Sequence, residues 1–107
     1  MKDLDKLNIL VVGDIMLDKY LVGDVERISP EAPVPVVNIT DEFSTLGGCG
    51  NVVRNIAELG ANVICLASVG PDENGNIIHQ KLEELNVIDL VINASKVTTV
   101  KERVVAS

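Results

Sequence analysis

Hydrophobic and polar positions along the chain switch between two periods, and the switches outline its elements. Asn8 to Val12 (NILVV) is an unbroken apolar run rich in β-branched residues, stopped by Gly13-Asp14. Such a run predicts a strand buried on both faces, as in a parallel sheet. Leu17 to Glu26 is mixed and less apolar, with Gly23-Asp24 as a turn signal. Ser29 to Pro35 carries three prolines, which excludes a helix there. Val36 to Thr40 then reads as a strand at a sheet edge.

After the tight glycine turn Gly47-Gly48-Cys49-Gly50, the period becomes helical. Val52, Val53, Ile56 and Leu59 predict an apolar stripe on a helix from Asn51, with Arg54, Asn55 and Glu58 facing water. Gly60 stops it in the C′ position. Asn62 to Val69 (NVICLASV) is a second buried strand, ended by Gly70-Pro71. Asp72 to Asn76 supplies helix-start residues, and Ile78, Leu82 and Leu85 stripe a second helix. Val87 to Ile92 reads as a third strand and Thr98 to Ala106 as a fourth. This rhythm predicts an α/β layered fold with a parallel main sheet. Segments 17–40 and 98–106 fall outside it and predict a smaller β layer at one edge.

Composition narrows the chemistry. With 107 residues, 47% hydrophobic and 23% charged, the chain can bury a core and is read as one domain on length alone. Its only aromatic residues are Tyr20 and Phe43, which argues against a base-stacking nucleic-acid platform. A net charge of −7 argues against polyanion binding, yet leaves room for one phosphorylated ligand on local donors. Cys49 and Cys65 form no Cys-x-x-Cys pair, so neither a zinc site nor a disulfide framework is expected. No signal peptide and no apolar stretch of membrane-spanning length is visible. A reducing cytoplasm is the simplest setting. His79 and Met16 read as surface and packing residues, and Cys65 as core.

Three motifs carry candidate chemistry. Gly47-Gly48-Cys49-Gly50-Asn51 opens a helix, where free N–H groups and the Asn51 side chain can hold a polar ligand. The alternative is a glycine loop with Asn51 as N-cap. A dinucleotide fingerprint would need a third glycine at Val53, and no Walker A lysine follows. Asp14 ends the first strand, and in extended chain Asp14 and Asp18 share a face. Together they suit the vicinal hydroxyls of a sugar; otherwise they are a turn and a surface aspartate. Thr99, Lys101 and Arg103 alternate onto one face and can hold a phosphate, or form the polar face of a half-exposed strand.

Taken together, Val11-Val12-Gly13-Asp14-Ile15-Met16-Leu17-Asp18, Arg27-Ile28-Ser29-Pro30-Glu31-Ala32-Pro33-Val34-Pro35-Val36-Val37, and Gly47-Gly48-Cys49-Gly50-Asn51-Val52 through Leu59-Gly60-Ala61 resemble the ribokinase (PfkB) carbohydrate kinases. The proline-rich run is similar to the D-glycero-β-D-manno-heptose-7-phosphate kinase branch, often joined to an ADP-heptose adenylyltransferase. The resemblance implies a three-layer ribokinase-like fold, present in part, with a β lid at 17–40 and 98–106. It places Asp14, Asp18, Gly47, Gly48 and Asn51 at the sugar. Lys101 and Arg103 fall on the lid, facing the substrate phosphate. It implies ATP and Mg²⁺ for the full-length enzyme, and a homodimer formed through the lid. The resemblance places the general base in a later Gly-Ala-Gly-Asp motif and the ATP site in the same later half, neither of which these residues contain, so no turnover and no bound cofactor are expected of this chain alone. Cys49-Gly50 stands where the heptose kinases usually carry alanines. The competing expectation is a non-catalytic α/β binding or dimerisation module.

Overall fold

The computed structural model describes residues 4–28 and 35–106. A 3-10 turn (Leu4–Lys6) leads into β1 (Asn8–Val12), followed by two long strands, β2 (Ile15–Ile28) and β3 (Pro35–Gly48). Then come α1 (Cys49–Glu58), β4 (Asn62–Leu66), β5 (Ser68–Val69), α2 (Glu73–Glu84), β6 (Ile88–Asp89), β7 (Ile92–Asn93) and β8 (Val100–Ala106). The α/β class expected from the pattern is what the chain adopts. The segment 29–34 lies outside the described residues, and with it most of the proline-rich run.

β1, β4 and β6 form a parallel sheet in that order, and β5 pairs with β7 in the same sense. Amides of Leu90, Ile92 and Ala94 bond to the carbonyls of Cys65, Ala67 and Val69. The predicted strands 62–69 and 87–92 therefore run as two interrupted strands that stay hydrogen-bonded through the break. The added β layer is larger than expected. β2 is antiparallel to β3 and parallel to β8, in the order β3-β2-β8. Gly23-Asp24 is not a turn; the chain takes a register shift between Val22 and Gly23 and continues.

The core lies where both helices meet one face of the parallel sheet. Leu17, Val53, Cys65, Val69, Ile78 and Leu82 are fully buried there. β1 was expected to be buried on both faces, but only Val11 is; Leu10 is 55% exposed and Val12 64%. The register sets Val11 beside Cys65 on the helix side and Val12 beside Leu66 on the other. Among the described residues nothing covers that second face.

α1 begins at Cys49, two residues before the expected start. Its buried side is therefore Gly50 and Val53 with Ile56 and Ala57, while Val52 and Leu59 face out. Gly60 follows the last turn at φ 101°, in the expected C′ role. α2 is capped by Asp72, whose Oδ1 accepts from the Gly75 amide at 2.8 Å. Thr98 ties this cap to the return strand. Its N–H donates to Asp72 Oδ2 at 2.9 Å and its hydroxyl donates to Oδ1 at 2.6 Å. The same hydroxyl accepts from the Gly70 amide at 2.9 Å.

Candidate functional site

β2 and β3 bring four of the expected site residues into one place. Asp18 lies on β2 in register with Thr45 of β3 and with Lys101 of β8. Its carboxylate rests over the backbone of Gly47. A Cβ on Gly47 would stand 2.6 Å from Asp18 Oδ2, so only glycine leaves room for the carboxylate. Asp18 Oδ1 is buried and, among the described residues, has no hydrogen-bond partner. Such an acceptor costs about 1–3 kcal/mol while unpaired, so the carboxylate is held with an unmet demand for donors.

The turn between β1 and β2 is pinned to the start of α1. The Asp14 carbonyl accepts from the Cys49 amide at 2.7 Å. It also occupies the space where a Gly48 Cβ would sit, 2.3 Å away. Gly48 has φ 59° and ψ −134°, a conformation that side chains disfavour. Asp14, Asp18, Gly47 and Gly48 are thus one locality, although Asp14 sits in the turn rather than in one strand with Asp18. Asn51 is not the N-cap. Gly48 takes that position without a side-chain cap, and the Asn51 side chain, exposed on the first turn, accepts from Arg54 Nη2 at 2.6 Å. Arg54, expected only to face water, is the group that orients Asn51.

Strand alternation extends the Asp18 face outward. Lys101 stands beside Asp18, and Arg103 beside Tyr20. Tyr20 stacks on Phe43 with ring centroids 4.8 Å apart. The Arg103 guanidinium lies 5.8 Å from the Tyr20 centroid and donates to its hydroxyl at 3.4 Å. The aromatic pair was not foreseen. The residues are 23 positions apart, and only the antiparallel register Tyr20–Phe43 makes them neighbours.

Elsewhere, His79 is not a plain surface residue. Its Nδ1 meets Asp89 Oδ2 at 2.5 Å and its Nε2 meets Asn93 Oδ1 at 3.0 Å. Burial works to lower its pKa, but these two bonds and the Asp89 charge outweigh burial and raise it. Cys65 is core as expected; burial first, then the neighbouring Cys49, pushes its thiol up to about 12. Burial likewise raises Cys49. Both shifts disfavour the thiolate, the nucleophilic form of cysteine. Among the described residues no group of three His, Cys, Asp or Glu is placed to hold a metal, and no helix is long and apolar enough to cross a membrane.

This arrangement has known relatives. The family model for pfkB family carbohydrate kinases matches residues 6–107. The chain belongs to the pfkB family. Among relatives of this pfkB chain, the bifunctional protein HldE of Campylobacter concisus is 55% identical over 104 residues, covering 95% of this chain and 22% of that protein. The D-beta-D-heptose 7-phosphate kinase of Bordetella bronchiseptica is 50% identical, covering 92% of this chain and 32% of the relative. Among solved structures, a carbohydrate kinase from Agrobacterium tumefaciens superposes with a TM-score of 0.74 at 24% identity, over 94% of this chain and 32% of that one. Phosphofructokinase-2 from Escherichia coli, in complex with substrates and products, gives 0.69 at 25% identity, over 92% and 30%. The pfkB chain therefore has the ribokinase-like fold over the stretch it shares, and spans about a fifth to a third of the length of these proteins.

Proposed function

We propose that this chain forms the sugar-binding side of an ATP-dependent kinase for a heptose 7-phosphate. The supporting observation is the Asp18 carboxylate, laid on Gly47 with an unpaired buried oxygen and flanked in register by Lys101. Sugar hydroxyls supply the donors this carboxylate lacks once Oδ1 turns outward from its covered position over Gly47, and Asp14 supplies a second acceptor at the adjoining turn. The Asn51 amide, its oxygen taken by Arg54, presents N–H groups to a hydroxyl oxygen. Lys101 and Arg103 receive the phosphate.

The dimensions support this division of labour. Adjacent strands lie about 4.8 Å apart and two residues advance about 6.7 Å. Asp18 and Arg103 are thus about 8 Å apart at the backbone, comparable with the reach from the ring hydroxyls of a sugar to a terminal phosphate. ATP supplies the phosphoryl group in the complete kinase, and the attacking hydroxyl needs a base there. No residue of this site is assigned that role, because Asp14 and Asp18 act as acceptors that fix the sugar. The β layer also pairs with a second copy of the chain. Ile39, Phe43, Val104 and Val105 are 44–57% exposed on its outer strands.

The test is binding. Calorimetric titration with heptose 7-phosphate is expected to show at least a tenfold loss of affinity in Asp18→Asn. Lys101→Gln should matter only when the sugar carries its phosphate. Unchanged sugar affinity in Asp18→Asn would sink the assignment.

A further inference from the structure

Behind the Asp18 face, a cavity of about 160 Å³ opens to solvent between β3, α1 and α2. Two cations reach it, Arg54 from α1 and Lys81 from α2, together with Ser44 of β3. Leu46 and Leu85 form apolar walls, and Glu84 stands at the lining. In a chain of 16 acidic and 9 basic residues, no ion pair to either cation is found among the described residues. Among the described residues Arg54 is held by the neutral Asn51 amide, through Nη2. Its other guanidinium donors, the Lys81 ammonium and the Ser44 hydroxyl make a donor set suited to an oxyanion. The apolar walls strengthen such charge-assisted bonds by lowering the local dielectric. Glu84 subtracts one charge and leaves the lining net positive. At ~30 Å³ per water, the space is ample for a phosphate-sized group.

We propose that this cavity binds a small oxyanion of phosphate size, and that its occupancy weakens sugar binding through the Arg54–Asn51 hydrogen bond. An oxyanion carries a full charge where the Asn51 amide oxygen is neutral, so its Coulomb attraction shifts the guanidinium into the cavity and draws Nη2 away from Asn51 Oδ1. Asn51 then loses the partner that orients its amide. The cavity and its ligand stand independently of the sugar reading; the coupling rests on that reading. By linkage, sugar weakens the anion by the same factor that the anion weakens sugar.

Inorganic phosphate is the probe, titrated against chloride at constant ionic strength while NMR follows the Arg54 Nε–Hε group and the Ser44 and Lys81 amides. Saturable shifts at these three positions, lost in Lys81→Gln, are expected. Shifts centred on Lys101 and Arg103 alone, or none, overturn the site. Saturating phosphate should weaken heptose 7-phosphate binding about fivefold, the low end of known couplings. Direct competition at Lys101 survives Lys81→Gln, whereas the effect through the cavity disappears in it. Cavity shifts with unaltered sugar affinity would overturn the coupling, and cavity shifts with no sugar binding at all would overturn the sugar reading while the anion site stands.

Discussion

Two adjacent glycines perform different tasks. At Gly47 an added methyl meets the end of a movable side chain, the Asp18 carboxylate. At Gly48 it meets the Asp14 carbonyl at positive φ, and backbone cannot swing aside. Gly47→Ala should therefore keep its urea midpoint while losing sugar affinity about as Asp18→Asn does. Gly48→Ala should lose on the order of 1–3 kcal/mol of stability from backbone strain alone, read by the same denaturation. Gly50 also acquires a reason. A Cβ there would stand 2.9 Å from Leu46 Cβ and 3.1 Å from Ile15 Cγ1, so the packing of β2 and β3 against α1 makes the small residue fit. The helix-propensity penalty of a glycine at this position, up to ~1 kcal/mol, is set against that close approach.

At the scale of elements, two polar locks hold α2 in place. Asp72 is kept below the usual carboxylate range by the Thr98 hydroxyl, then by the Thr98 and Gly75 amides. Its contribution is present above about pH 3.8 and is lost as pH falls through its lower folded value. Thr98→Val removes the hydroxyl and leaves the Gly70 amide unpaired in a buried place. The expected cost is about 1–3 kcal/mol, with a smaller loss of stability between pH 5 and pH 3 than in the parent. The second lock is His79 between Asp89 and Asn93. Its pKa is raised in the folded chain, so its stabilisation is complete below 6.5 and disappears as pH climbs through the folded value. Urea midpoints followed from pH 6 to pH 9 should fall in the parent. The fall should be flatter in His79→Gln; identical slopes would show that the ring does not carry the effect.

For the whole molecule, the long β2–β3 pair dominates the outline. The radius of gyration is 17.5 Å, against about 13 Å for a compact chain of this length. A projecting layer with exposed Phe43, Val104 and Val105, whose outer strands β3 and β8 have no strand on their far edges among the described residues, invites association. Sedimentation equilibrium is expected to show a concentration-dependent dimer, weakened by Val104→Glu. A monomer at every concentration would remove the dimer from the proposal. The exposed residues Leu10, Val12, Leu66 and Ile88 form a second apolar surface on the far side of the parallel sheet.

Much of this organisation was legible in the chain alone. Period-two and period-3.6 patterns are local properties, so the α/β class, both helices and the first strand followed from them. Turn chemistry is local as well, which is why Asp72 at the start of α2 and Gly60 at the end of α1 were legible, whereas the Gly23-Asp24 signal continues as strand and the Gly47–Gly50 stretch passes from β3 directly into α1. Asp18 beside Gly47, Tyr20 on Phe43 and Thr98 on Asp72 were decided only by tertiary structure. Each joins residues through a strand register or a loop closure that no local pattern encodes. The same holds for burial: an apolar run signals that a strand wants cover on both faces, but the packing of both helices on one side determined which face received it.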